Sequence, residues 1–350
     1  KIVYTPIHGT GLKLIPRSLA NYGFTNIIGV PEQEVLSGDF PTVASPNPEE
    51  PSAMAMAIEK AKETGAEVVM ASDPDADRIG LVIRDNNGEY VLINGNQIVM
   101  IFLNYLMTRN TELGTLTGNE YIVKTIVTTE TIRTIAEAQH IKMYDCFTGF
   151  KWIANVMREN EGKARYLGGG EESYGFLAED FVRDKDSVSA ISLMAEIAAW
   201  AKDKGLNMTD MLIDIYMKYG FSREKGISLV RKGKSGAEEI IALMKQFREN
   251  PPKEIAGSPV VTVKDFQSLV ETNVATGETK KLDMPATSNV LQYYTADRTK
   301  VSVRPSGTEP KIKFYIEVHD TLASADEYKA TEARADEKIN RIAKEFGITK

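Results

Sequence analysis

An α/β fold with a separate α+β domain at its carboxyl end is what this sequence predicts, and three observations carry the prediction. Up to about residue 219, apolar runs of strand character alternate with amphipathic runs of helical period. Loops rich in Gly, Pro, Asn and Asp punctuate that alternation. Past Gly220 the alternation stops, and several short strands precede one terminal helix.

The first strand is KIVYTP, followed by the Gly-containing turn HGTG, an amphipathic run to Asn21 and the strand NIIGV. After the Pro-rich loop FPTVASPNPEEP, a helix spans 52–64 and EVVMAS reads as a buried strand. The arms IGLVIR and EYVLI around DNNG read as a hairpin. A second unit keeps the same rhythm: a helix over 95–109, the strand YIVKTIV, a helix over 129–139 and a strand ending at Cys146. A helix from near Thr148, the strand ARYLGG and two helices over 186–219 complete it, and no sequence repeat links the two units. The last part holds the strand GISLVRKG, a helix over 235–249, short strands to Val318 and a helix from about Ala323.

At 350 residues the chain fits two or three domains. With 42% apolar and 26% charged residues it is neither disordered nor membrane-like, and no apolar run is long enough to span a bilayer. The net charge of -7 and the lack of a basic stripe with interleaved aromatics argue against nucleic acid. The single Cys146 cannot form an internal disulfide and no signal peptide is seen, so a reducing cytoplasm is expected. A chain that opens on a strand, without methionine or polar tail, reads as cut from a longer protein.

Four loops carry chemistry. Ser72-Asp73-Pro74-Asp75-Ala76-Asp77-Arg78 follows a buried strand, where open α/β sheets place ligands. In an extended segment the side chains of Asp73, Asp75 and Asp77 point the same way and repel. A hard divalent cation relieves that repulsion; a solvated acidic turn is the competing reading. An EF-hand is disfavoured, because its sixth and twelfth positions here are Arg78 and Arg84 rather than Gly and Glu. A nucleophilic D-x-D-x-T aspartate is disfavoured too, since Asp77 stands where Thr belongs. Mg²⁺ takes few carboxylates and keeps other positions for water or phosphate oxygens, which implies a phosphate-bearing partner beside the planar fork of Arg78.

The second loop, Arg304-Pro305-Ser306-Gly307-Thr308-Glu309-Pro310, offers a guanidinium, hydroxyls and backbone N–H groups to one anion, or is a Ser/Gly hairpin turn. The third runs from Gly168 to Gly175: its glycines let the backbone turn after a strand, and Glu171 with Ser173 can accept from and donate to sugar hydroxyls. Just beyond it, Arg183-Asp184-Lys185-Asp186 pairs locally or faces a ligand. The fourth, Thr148-Gly149-Phe150-Lys151-Trp152, opens a helix, and its lysine is a weaker phosphate candidate. Of the scattered histidines only His8 has ligand-like surroundings, and none suggests a metal cluster or a triad.

Together and in order, TPIHGTG, DPDADR, GEESYG with RDKD downstream, and RPSGTEP resemble the α-D-phosphohexomutase superfamily over nearly the whole chain. The resemblance implies a four-domain enzyme of which this chain holds domains two to four, over 1–93, 94–219 and 220–350. Two of these would be mixed-sheet α/β domains and the last an α+β domain like the TATA-binding protein. It implies Mg²⁺ as cofactor, sugar phosphate and sugar bisphosphate as ligands, and as partner a missing N-terminal domain of the same protein. That domain would carry a phosphoserine in a T-A-S-H-N-P type motif, which donates its phosphoryl group to a sugar phosphate and regains one from the bisphosphate.

By matching position, Asp73, Asp75 and Asp77 would hold Mg²⁺, and Arg78 would sit beside the transferring phosphoryl group. Glu171 and Ser173 would bind sugar hydroxyls, Lys185 would be a sugar contact or acid/base, and Arg304, Ser306, Gly307 and Thr308 would bind the distal phosphate. The nearest stretch to the serine motif, TVASPNPEEP, lacks its histidine, so no nucleophile is carried over. The expected activity is interconversion of glucose 1-phosphate and glucose 6-phosphate, with this chain alone inactive. A phosphopentomutase, a sugar-bisphosphate synthase or a noncatalytic phosphosugar-binding protein are the alternatives. Pro74 and Ala76 stand where the family's DGDGDR loop has glycines, and the GEES wording resembles glucose-preferring and phosphopentomutase-like members more than mannose-preferring ones.

Overall fold

The computed structural model describes residues 1–231, 233–307 and 310–349, which fall into two compact units, Lys1–Ile215 and Tyr216–Lys350. In the first unit come β1 (Ile2–Thr5), α1 (Gly11–Asn21), β2 (Ile27–Gly29), α2 (Pro51–Thr64), β3 (Val68–Ser72), β4 (Ile79–Arg84) and β5 (Tyr90–Ile93). They form a sheet of order β2-β1-β3-β4-β5, parallel around β1 and antiparallel from β3 to β5. Every residue of β1 and β3 is buried, as continuous apolar strands between covered faces must be. Ala53, Met54, Ala57 and Ala61 of α2 recur at helical spacing and pack on Val3, Val69 and Val82. Each of those fully buried valines contributes on the order of 1.5–3 kcal/mol.

The second sheet uses α3 (Gly95–Glu112), β6 (Glu120–Thr125), α4 (Thr131–Ala138), β7 (Lys142–Cys146), α5 (Phe150–Asn160), β8 (Arg165–Gly170), β9 (Phe176–Ala178), α6 (Ser187–Asp203) and α7 (Met208–Tyr219). Its order is β7-β6-β8-β9, with only β9 antiparallel. Asn94 and Gln97 close a reciprocal capping box on α3, and Asp186 caps α6 by accepting from Val188 N and Ser189 N. Phe150, Ile153 and Tyr166 pack with Tyr121 and Val123 into its core. The two sheets belong to one compact unit, with α1 against α6 and Ser18 Oγ 2.8 Å from Ser192 Oγ.

Two expectations change here. The strand expected through Val127 stops at Thr125, where Thr128 N donates to Thr125 O and the chain turns. Gly168, Gly169 and Gly170 do not make a turn: they end β8, and a Cβ on Gly169 or Gly170 would lie 2.6 Å from Val123 O or 2.7 Å from Val99 Cγ2. Close packing against β6 and α3, not backbone freedom, requires them.

The second unit holds β10 (Phe221–Val230), α8 (Gly233–Glu249), β11 (Glu254–Ile255), β12 (Ser258–Asp265), β13 (Val270–Asn273), β14 (Thr279–Lys281), β15 (Leu291–Thr295), β16 (Lys300–Pro305), β17 (Lys311–Asp320) and α9 (Tyr328–Glu345). The antiparallel order is β10-β17-β16-β15-β12-β13-β14, with β11 on β12. Helices α8 and α9 pack on its β17 side, where Phe247, Phe314 and Phe346 meet. The terminal helix begins at Tyr328, later than expected, after a short 3-10 turn at Ala325–Glu327. Among the described residues no helix is long and apolar enough to cross a membrane.

Candidate functional site

Strands β3 and β4 pair down to Ser72↔Ile79, so Asp73 to Arg78 form a hairpin tip. The tip is not extended: Ala76 N donates to Asp73 O at 3.0 Å and Ala76 sits at φ 58°. This turn, rather than strand alternation, brings carboxylate oxygens of Asp73, Asp75 and Asp77 within 4.8 Å of one another. Asp73 is 1% exposed; its Oδ1 accepts from Asp77 N at 3.1 Å and Arg78 N at 3.0 Å, and its Oδ2 from Arg78 Nε at 2.6 Å. Burial first, and then the charge of Asp73, lift the Asp75 carboxyl above its ordinary range. Burial also lifts Asp77, against a hydrogen bond from Lys185 and aided by Asp73. Three converging hard oxygens, two of them on carboxyls that burial pushes toward the neutral form, fit a hard divalent cation.

Arg78 is held from several sides: Asp73 at 2.6 Å, Glu49 at 3.5 Å, Asp77 at 3.9 Å and Asn47 Oδ1 at 3.5 Å. The Pro-rich loop thus serves the tip through Asn47 and Glu49, a role its sequence does not disclose. Lys185 Nζ lies 2.6 Å from Asp77 Oδ2. Burial alone would lower the lysine pKa, but that hydrogen bond and charge raise it, so it stays cationic.

Residues 171–175 form a second hairpin tip, since β8 and β9 pair down to Gly170↔Phe176. The two tips abut: Arg78 bridges to Gly175, and Ile79 N donates to Tyr174 O at 3.1 Å. Ser187, at the start of α6, donates from N at 3.1 Å and from Oγ at 2.7 Å to Ala76 O. Asp77, Arg78, Lys185 and Glu171 are thereby brought together. A Cβ on Gly175 would come 2.5 Å from Lys185 Cδ and 3.4 Å from Glu171 Oε2, so the lysine stem passes beside that glycine near the glutamate.

Glu171 is 5% exposed, and its Oε1 accepts from Gly149 N at 2.6 Å. Burial, then the charge of Glu172, push its pKa up to about 7 against that N–H. The TGFKW loop therefore contributes a backbone donor at the foot of α5, whereas Lys151 is exposed with its Nζ over Trp152. Ser173 is half-buried at the tip. His8 loses its ligand-like standing: it is buried, with Nδ1 2.8 Å from Val35 O and Nε2 2.8 Å from Thr42 Oγ1.

In the second unit, Arg304 of β16 stands directly across from Lys313 of β17. Like charges opposed across strands destabilise unless an anion sits between them. Ser306 N donates to Lys311 O at 2.8 Å, which shapes the loop; Ser306 is half-buried and Gly307 exposed. Thr308 lies outside the described residues.

The site's hidden support is a buried charge cluster. Lys124 is fully buried in β6, 3.0 Å from Glu130 and 2.9 Å from Asp145, and Arg133 pairs with both acids. Its signal was a lysine inside the apolar run YIVKTIV.

Comparison with known proteins agrees with this architecture. Residues 1–88 match domain II (alpha/beta/alpha) of phosphoglucomutase/phosphomannomutase, 94–219 match domain III and 251–335 the C-terminal domain. A phosphoglucomutase of Staphylococcus haemolyticus is 35% identical over 91% of this chain and 57% of its own length. The chain thus spans little more than half of such relatives. A Burkholderia thailandensis phosphoglucomutase/phosphomannomutase family protein superposes with TM-score 0.63 at 18% identity, over 99% of this chain and 60% of its own. An Aspergillus fumigatus N-acetylphosphoglucosamine mutase in complex with GlcNAc-6P and magnesium superposes at 0.52 and 13% identity, over 98% and 65%. With its two mixed-sheet α/β layers, its antiparallel C-terminal α+β domain and matches along most of its length, the chain belongs to the phosphoglucomutase/phosphomannomutase family.

Proposed function

We propose that this chain is the metal-, sugar- and phosphate-binding part of a phosphoglucomutase, organised as domains over 1–93, 94–219 and 220–350. The whole protein interconverts glucose 1-phosphate and glucose 6-phosphate through a bisphosphate, using a phosphoserine outside this chain. The observation that carries the reading is the meeting of the Asp73-Asp75-Asp77 tip with the Glu171-to-Gly175 tip, bridged by Lys185 on Asp77. Asp73, Asp75 and Asp77 would hold Mg²⁺, which would supply charge neutralisation for phosphoryl transfer. Arg78, oriented by Asp73 and Glu49, presents a fixed cation to the moving phosphoryl group. Glu171 and Ser173 bind sugar hydroxyls, and Lys185 contacts the sugar or carries its proton. Arg304, Ser306, Gly307 and Thr308 hold the other phosphate.

The test is calorimetric titration of the purified chain with glucose 1-phosphate and, separately, with Mn²⁺ as a magnesium surrogate. Arg304→Ala should weaken glucose 1-phosphate binding about tenfold or more, as loss of a charge-assisted hydrogen bond does, and leave Mn²⁺ binding alone. Unchanged glucose 1-phosphate affinity in the variant refutes the cradle. Turnover of glucose 1-phosphate by this chain alone would refute the external phosphoserine.

A further inference from the structure

Glu171 and Glu172 are adjacent carboxylates that repel each other, yet they are anchored on different elements. Glu171 accepts from Gly149 N at the foot of α5. Glu172 Oε2 accepts from Oγ1 of Thr125, the last residue of β6, at 3.0 Å and from Oγ1 of Thr128, in the turn after it, at 3.2 Å. Both threonines are fully buried, and their hydroxyl oxygens lie 2.8 Å apart. A carboxylate can only accept, so it draws hydroxyl protons that the two threonines would otherwise share.

This hydroxyl pair stands on a stiff base. Lys124 Nζ lies 3.3 Å from the carbonyl oxygens of both Thr125 and Thr128 while it pairs with Glu130 and Asp145. The first residue of α3 approaches the Glu172 backbone so closely that a Cβ on Gly95 would lie 2.0 Å from Glu172 O. Asn96, the next residue of α3, accepts from Thr129 N at 2.9 Å and ties the helix start to the threonine turn. Glu172 is therefore anchored through its carboxylate, with its backbone packed close to the first residue of α3, while its two neighbours in sequence are the residues assigned to the sugar.

We propose that Glu172 is a positioning residue for the sugar loop: its carboxylate, locked on Thr125 and Thr128, sets where Glu171 and Ser173 stand. The proposal rests on the sugar-loop role given above. Its loss lowers affinity for the sugar part of the ligand and spares the phosphate part, because Arg304 and Ser306 belong to another unit of the chain.

The experiment compares glucose 1-phosphate with inorganic phosphate by calorimetry on the full chain. Variants are Glu172→Ala, Glu172→Gln, the pair Thr125→Val with Thr128→Val, and the three changes Glu172→Ala, Thr125→Val and Thr128→Val combined. The wild type should prefer glucose 1-phosphate, and Glu172→Ala should cut that preference about tenfold, the usual scale for an outer residue that orients a ligand contact. Glu172→Gln, which still accepts from a threonine, should retain it within about threefold of wild type. The threonine pair should reproduce the loss, and combining it with Glu172→Ala should add nothing, as for residues acting as one unit.

A Glu172 that merely supports the fold would lower stability and leave the preference intact, which overturns the proposal. So would independent, multiplying losses. Should Glu172→Ala fail to fold, the threonine pair, which keeps the carboxylate, decides in its place: a preference cut about tenfold upholds the proposal, and an intact one overturns it. A wild type without preference for glucose 1-phosphate overturns the sugar-loop reading itself, and this proposal with it.

Discussion

Glu171→Gln should stabilise the first unit by an amount that depends on pH. The Glu171 carboxyl is 5% exposed, and its pKa stands at about 7 instead of the ordinary 4.5. At about 1.36 kcal/mol for each pH unit of that displacement, ionising it in the folded protein costs about 3 kcal/mol. A carboxyl with a raised pKa binds protons more tightly in the folded than in the unfolded chain. Its stabilising contribution is complete below about pH 4.5 and is lost as pH rises to about 7. Glutamine does not titrate and can still accept from Gly149 N. The difference between variant and wild type should thus grow from near zero at pH 4.5 to about 3 kcal/mol at pH 8. That corresponds to roughly 6–12 °C in melting temperature for a unit of this size.

Urea unfolding at pH 5, 6, 7 and 8 measures it, with both tryptophans, Trp152 and Trp200, reporting from the first unit. Titrating groups far from Glu171 cancel in the difference, so the comparison reports Glu171 together with its close charged neighbours Glu172, Asp184 and Lys185. A gap between the two proteins that stays constant across this range would refute the assignment of burial as the controlling force. A stabilising substitution at a residue assigned to the sugar is the trade expected of a group kept for function.

Two further outcomes test the support of the site. Ala76 holds φ 58°, where a side chain costs about 1–2 kcal/mol, so Ala76→Gly should stabilise by up to about 1 kcal/mol after the entropy of a freer unfolded chain is deducted; urea unfolding that shows Gly destabilising would refute the strain. Lys124→Met should destabilise by about 3 kcal/mol, because it removes the buried cation that pairs with both Glu130 and Asp145. Equal melting temperatures by scanning calorimetry would show the cluster to be energetically idle.

The element order was legible because it depends on near neighbours. Apolar period distinguishes strand from helix within a dozen residues, and the three aspartates announce themselves by spacing. Even there a local rule misled: the carboxylates converge because the hairpin tip turns at Ala76, not because an extended strand alternates. The glycines before Glu171 carried the same ambiguity, since a residue without Cβ suits a turn and a close contact equally, and only the positions of Val123 and Val99 decide for contact.

By itself the sequence determined the fold class, the loops and the chemical type of each group, because these follow from composition and short-range pattern. Only the tertiary structure decided which groups act together. Residues about a hundred apart meet when two hairpin tips abut, so that Lys185 reaches Asp77. It also decided what surrounds each carboxylate: Glu171 is enclosed and its pKa lifted to about 7, and Glu172 beside it is anchored on two threonines. Long-range pairing and local polarity are properties of packed neighbours, and neither is encoded at any one position.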